Sequence, residues 1–207
     1  PLIKKVASTG KPMIISTGMA SVSEMDEMVQ TIRDAGCEQF VLLKCTSTYP
    51  ATPENSNVLT IPHMRKLFNC EVGLSDHTMG IGSSVAAVAH GATVIEKHFT
   101  LNRADGGVDS AFSMEPEEMK SLVIETERAW QSLGKVTYGS TEAEKPSLKF
   151  RRSLYIAEDM KKGDVLTEKN LRIVRPGLGL APKYYEIILG RKVKRDLKKG
   201  TAVDWGL

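Results

Sequence analysis

The sequence is poor in aromatic residues, which make up 6% of it, and holds only three cysteines among 207 residues. Cys37, Cys45 and Cys70 are odd in number and show neither a CxxC pair nor a Cys/His ligand spacing. That excludes a disulfide scaffold and a zinc knuckle, and the three read as thiols of a reducing compartment. No segment approaches the ~18 consecutive apolar residues of a membrane span, so no membrane partner is expected and a cytoplasmic setting is. Neither GxGxxG nor a GxxxxGK phosphate loop occurs, which argues against a nucleotide-binding sheet. Charge of one sign is scarce overall, at a net +3, yet it is unevenly spread. Residues 1–145 carry 13 Lys/Arg against 18 Asp/Glu, and residues 146–207 carry 15 against 7. A basic block of that size could face nucleic acid or a small anion.

What the chain does have is repetition. Residues 11–98 run four times through one plan, a short apolar segment ending in polar residues and then a helical pattern. The segments are Pro12–Gly18, Phe40–Ser47, Val72–Thr78 and Thr93–Thr100. Each has the length and β-branched content of a strand buried on both faces. Between the first two, Ser23 reads as an N-cap, Met25, Met28, Val29 and Ile32 share one helical face, and Gly36 stands where a C-cap belongs. Ser83 to His90 reads as an Ala-rich helix stopped by Gly91, and residues 115–133 as a long helix with Pro116 and acids at its start.

Strand alternating with helix predicts parallel βαβ units, in an open doubly wound sheet or a closed (β/α)8 barrel. At the C-terminal end of each segment stand chemically capable side chains: Ser16 and Thr17, Lys44 and Ser47, Ser75 and His77, Glu96 and His98. Both architectures place active sites at that edge, and the barrel builds one site from several strand ends. The expected fold is therefore α/β, the C-terminal half of a TIM barrel. Pro1–Ala7 reads as the middle of a helix ending near Gly10, as in a piece whose upstream part is missing.

Past Gly134 the grammar changes. A stretch to Ser147 rich in Gly, Ser, Thr and charge reads as a linker. After it, short apolar runs such as Ser153–Ala157 are separated by Lys-Gly turns at Lys162-Gly163 and Lys199-Gly200. Leu166–Leu171 suggests a short helix and Arg175-Pro176-Gly177 a tight turn. The division expected is a partial barrel over 1–134, a linker over 135–147 and a small β-rich domain over 148–207.

His77 and His98 are the sharpest pair in the chain. They lie 21 residues apart at the ends of consecutive strands, so their rings should converge on one mouth. Two neutral imidazoles held that way suit a divalent cation with positions left open for substrate. Glu96 shares a strand face with His98 and could bind the metal or a substrate hydroxyl. Ser16, Thr17, Ser47 and Ser75 are short hydroxyls fit to hydrogen-bond phosphate or carboxylate oxygens. Lys44 could add charge or be a solvated strand end. Asp109 lies in a loop past the last strand and could accept from a sugar hydroxyl or cap its own loop. His63 and His90 sit in helical surroundings and read as structural or solvent-facing.

The stretches LLKCTSTYPA, GLSDHTMG, IEKHFTL and FRRSLYIAEDMKKGD, with RPGLGLAPKYYEIILGRKVKRDLKKGTAVDW, resemble the sialic acid synthase family. The resemblance runs in order from Pro1 to Leu207. It implies a (β/α)8 barrel joined to a small antifreeze-like (SAF) domain, and condensation of phosphoenolpyruvate with an N-acylated amino sugar. Within the family, GGVDSAFSMEPEEMKSLV and TEAEKPSLKFRRSLY are most similar to the pseudaminic acid synthase branch, whose acceptor is 2,4-diacetamido-2,4,6-trideoxy-L-altrose. The alternatives are N-acetylneuraminate or N,N'-diacetyllegionaminate synthesis, or a non-catalytic piece that grips a glycan or nucleic acid. Tyr155, Tyr184, Tyr185 and Trp205 lack the regular spacing that would favour nucleic acid, and none is expected as a partner.

Carried over residue by residue, the resemblance makes His77 and His98 ligands of Mn²⁺ or Mg²⁺. It gives phosphoenolpyruvate to Ser75, Ser47 and the Ser16/Thr17 pair, and the sugar to Glu96, Asp109 and Tyr49. It also implies a homodimer with the SAF domain swapped onto the partner barrel, adding Arg175 with Phe150 nearby. The family takes lysines and an essential glutamate from the first half of the barrel, which this chain does not contain, so the chain alone is expected to be inactive.

Overall fold

A computed structural model describes all 207 residues. They divide into two compact units, Pro1–Lys135 and Val136–Leu207. No helix is long and apolar enough to cross a membrane.

The first unit alternates helix and strand: α1 (Leu2–Ala7), β1 (Met13–Ser16), α2 (Val22–Asp34), β2 (Phe40–Cys45), α3 (Thr60–Phe68), β3 (Glu71–Asp76), α4 (Gly82–Ala89), β4 (Ile95–Lys97) and α5 (Pro116–Leu133). The strands form one parallel sheet in the order β1-β2-β3-β4. Each pairs only with its neighbour in sequence, as successive units of a (β/α)8 barrel do. The expected half-barrel is present.

Strand alternation sorts the sheet into two faces. Met13, Phe40, Leu42, Val72 and Leu74 enter one buried cluster with Met25, Val29 and Ile32 of α2, Ile61, Met64 and Phe68 of α3, and Ala87 of α4. Leu42, Ile61 and Val72 are wholly buried there, and each contributes roughly 2 kcal/mol. The other face is only partly covered. Leu43 is sealed against its neighbours while Ile14 is 62% exposed, so β1 departs from the expected strand buried on both sides.

Local signals mostly land within a residue or two. The cap of α2 is Ser21 rather than Ser23, because Glu24 reaches back to the Ser21 backbone N–H and completes a capping box. Gly36 follows at φ 78, the left-handed position where a helix stops cheaply.

The second unit pairs β5 (Ser153–Ile156) with β6 (Leu171–Val174) in antiparallel register. Leu154, Ile156, Met160, Leu166, Leu171, Ile188, Val193, Leu197 and Val203 form its core. Two Asp-x-Lys-Lys-Gly runs face each other across the Met160–Leu197 bridge. Asp159 accepts from Lys198 Nζ and Lys199 N, and Asp196 accepts from Lys161 Nζ and Lys162 N. Lys161 and Lys198 of the basic block thus have exposed counter-charges within the unit.

One expectation fails in this unit. Leu166–Leu171 is not a helix: Asn170 accepts from Thr167 N and donates to Val165 O, closing one turn before β6 begins at Leu171. The helix lies later, at α6 (Tyr185–Ile188). Glu142–Phe150, which begins inside the stretch read as a linker and runs past its end, forms 3-10 turns started by a Thr141–Glu144 capping box.

The close approach of β3 to its neighbours yields a test. A Cβ on Gly73 would meet the Val94 carbonyl oxygen at 2.2 Å and Leu43 Cδ2 at 2.7 Å. Gly73→Ala is expected to cost about 2 kcal/mol through overpacking, read as a lower denaturant midpoint. An unchanged midpoint would mean that the strands part without cost.

Candidate active site at the strand ends

The register that builds the sheet also builds the site. Cys45 lies opposite Ser75, and Ser75 opposite Glu96, in one row across β2, β3 and β4. Two residues further along each strand, on the same face, come Ser47, His77 and His98. Ser75 Oγ donates to Glu96 Oε1 at 2.7 Å, and Ser47 Oγ stands 3.8 Å from Cys45 Sγ.

The two imidazoles converge as expected, with ring centroids 5.1 Å apart and planes at 66°. His77 is buried, and its Nδ1 lies 2.9 Å from the Thr46 carbonyl oxygen. A carbonyl only accepts, so that nitrogen carries the proton and Nε2 keeps its lone pair. His98 Nδ1 lies 3.4 Å from Asp109 Oδ2, which favours the same assignment. Tyr49 packs against both rings at 4.4 and 5.9 Å, and Phe112 lies 5.1 Å from His98. The pair therefore has one polar anchor behind each ring and an aromatic wall beside it.

The loop after β4 is pinned to the start of α5. Arg103 holds Glu118 through both guanidinium arms, at 2.5 and 2.9 Å, and donates to the Ser113 carbonyl. Its backbone N–H donates to Glu115. The Arg103 guanidinium, with the Glu115 backbone N–H, holds the Glu118 carboxyl down at about 2. This clamp fixes the span that carries Asp109 and Phe112.

Not every expected residue joins the site. Lys44 shares the helix-facing side of β2 with Leu42, and its ammonium donates to the Cys45 carbonyl and to Thr46 Oγ1. Strand alternation turns it away from the histidines, and burial lowers its pKa. Thr17 donates its hydroxyl to the Leu43 carbonyl at 2.9 Å, so that proton serves the β1–β2 joint. Ser16 remains exposed at the end of β1. Arg175 and Phe150 belong to the second unit. There Ser153 Oγ donates to Pro176 O and accepts from Gly179 N, anchoring the turn that bears Arg175. Phe150 is exposed under the Lys149 ammonium.

No cluster of three or more His, Cys, Asp or Glu side chains could close around a metal ion. Two imidazoles with free Nε2 atoms fit an open divalent site that borrows its remaining ligands. The Thr46 carbonyl behind His77 escaped the sequence reading, because a backbone acceptor leaves no signature in residue type.

Comparison with known proteins places the chain in a family. Residues 1–138 match the model of the NeuB family, and residues 151–206 that of the SAF domain. The chain belongs to the NeuB family. It is 41% identical over 207 residues to pseudaminic acid synthase of Campylobacter jejuni, covering 99% of this chain and 60% of that protein. N,N'-diacetyllegionaminic acid synthase of the same organism is 37% identical over 202 residues, 96% of this chain and 60% of that one. Spore coat polysaccharide biosynthesis protein SpsE from Bacillus subtilis, a crystal structure, matches with a TM-score of 0.62 and 33% identity, over 100% of this chain and 63% of its own. The chain spans about 60% of the length of the curated relatives it matches.

The clamp predicts a pH response. Glu118 titrates at about 2 against an ordinary 4.5, so its contribution to stability is complete above about 4.5 and lost as pH falls toward 2. The side chain is 45% exposed, so the contribution is modest. Urea midpoints at pH 5 and pH 3 should fall less in Glu118→Gln than in the unaltered protein. Equal falls would place the acid sensitivity elsewhere.

Proposed function

We propose that the complete enzyme condenses phosphoenolpyruvate with 2,4-diacetamido-2,4,6-trideoxy-L-altrose, giving pseudaminic acid and phosphate. The observation that carries this reading is the pair of buried-edge imidazoles, His77 and His98, each with Nδ1 against an oxygen acceptor and Nε2 left for a cation. Mn²⁺ or Mg²⁺ bound there would supply Lewis-acid polarisation of the sugar's aldehyde oxygen.

The chain's own residues have separable tasks. Ser47 and Ser75 are placed to hydrogen-bond the anionic groups of phosphoenolpyruvate. Ser75 owns one proton, which it gives to Glu96 at 2.7 Å. Turning that proton to a phosphate oxygen would free the carboxylate to accept from a sugar hydroxyl, so binding of one substrate would prepare the site for the other. Asp109 steadies His98 while its other oxygen can serve the acceptor. Arg175 and Phe150 would contribute to a second copy's acceptor site in a swapped homodimer, and this chain alone would be inactive.

The choice of acceptor rests on Phe112, 5.1 Å from His98, with Tyr49 6.2 Å from Phe112. Aromatic walls suit the methyl of a 6-deoxy sugar better than a hydroxymethyl. An apolar wall rejects an added hydroxyl only ~100-fold, and relatives that make legionaminic acid are nearly as similar as those that make pseudaminic acid.

The test uses the complete enzyme with phosphoenolpyruvate and Mn²⁺, following phosphate release with each candidate sugar. The diacetamido-trideoxy-altrose should turn over fastest, and His98→Ala should lower kcat/KM at least 10³-fold. Faster turnover with N-acetylmannosamine overturns the acceptor; full activity of His98→Ala at saturating metal overturns the reading.

A further inference from the structure

Directly behind the two histidines lies a charged pair that the reaction does not use. Asp76 and Lys97 each precede a histidine by one residue and face each other in register across β3 and β4. Strand alternation puts them on the helix side of the sheet, opposite the imidazoles. Their side chains are 1% and 2% exposed.

Every polar atom of the pair is engaged. Lys97 Nζ donates to Asp76 Oδ2 at 3.0 Å, to the Thr78 carbonyl at 2.7 Å and to the Gly80 carbonyl at 2.9 Å. Asp76 Oδ1 accepts from the Thr78 backbone and hydroxyl at 2.8 and 2.7 Å, and Oδ2 from Ser84 of α4 at 2.6 Å. The network joins the two residues before the histidines, the turn after His77 and the first helical turn of α4. A buried ion pair is a weak source of net stability, since desolvation offsets its attraction, and two apolar side chains would fill the same layer. What it supplies is one fixed geometry.

We propose that Asp76 and Lys97 are positioning residues that set the separation and angle of the His77 and His98 rings, and so govern divalent-metal affinity. This deepens the reading above and rests on it. Each histidine is joined to its partner in the pair by one peptide unit, so a shift of one strand end against the other moves the imidazoles apart.

The test titrates the metal-free complete enzyme with Mn²⁺, reading free Mn²⁺ by electron paramagnetic resonance and Tm in parallel. Lys97→Met strands the Asp76 carboxylate and should lower both Tm and affinity. Adding Asp76→Asn to it removes the stranded charge. Tm should recover in large part, while Mn²⁺ affinity stays 10- to 100-fold weak, the range seen when groups supporting metal ligands are lost. Ser84→Ala, far from the rings along the chain and mild enough to fold, should weaken Mn²⁺ severalfold with little change in Tm. Unaltered affinity in Ser84→Ala and in the double variant, with His98→Ala binding no Mn²⁺, overturns the positioning role alone. Unaltered Mn²⁺ binding in His98→Ala overturns the metal reading beneath it.

Discussion

Because Cys45, Ser75 and Glu96 are laterally paired in consecutive parallel strands, everything two residues beyond them emerges from the sheet on one face and at one edge. Parallel pairing makes that edge common to all strands, and the two-residue period makes the face common to alternate residues. His77 and His98 need no long-range folding accident to meet. They need only the register, and the register is set by the apolar residues of the other face, Leu42, Val72 and Leu74, seated on α2 and α3. A one-residue slip of β4 would send His98 into the helix layer and bring Lys97 to the mouth.

The same period explains what the sequence reading could and could not reach. Alternating apolar and helical segments located all four strands, with ends two or three residues too far along, since β-branched runs bounded by caps have few other uses. The histidine pair was legible because both lie at the same step past their strands. Which of its two readings Lys44 follows was not legible, because it stands one residue before Cys45 in a run hydrophobic enough to hide which face each side chain takes. Asp76 and Lys97 were legible in principle, since each must face away from the histidine that follows it. The Thr46 carbonyl and the Arg103–Glu118 clamp were not, because one is backbone and the other joins residues 15 apart through loop geometry.

The second unit obeys a different economy. With nine residues in its core, it has little apolar area to bury, and small domains of that kind are marginal. Its order comes from turns that close on themselves. Gly163 and Gly200 take φ values of 96 and 86, which other residues adopt only with strain. Each Asp that precedes such a turn binds the lysine and backbone of the opposite turn. A helix pattern over Leu166–Leu171 fails there for the same reason: Asn170 satisfies the local backbone with its side chain, and the chain is released into β6 after one turn.

The distribution of charge around the strand ends suits the proposed site, which would take a cation and one anionic substrate. The imidazoles and the carboxylates of the candidate site stand on the partly covered face, where Glu96 and Asp109 remain accessible. The charges that only hold shape are paired on the covered face, where Asp76 and Lys97 cancel within 3.0 Å. A lysine turned toward the mouth would repel a cation, and an aspartate there would compete for it. Placing the pair one residue earlier on each strand keeps its fields on the far side of the sheet while its rigidity passes through a single peptide unit. Rigidity and reactivity are thereby supplied by adjacent residues of opposite parity, and neither has to be compromised for the other.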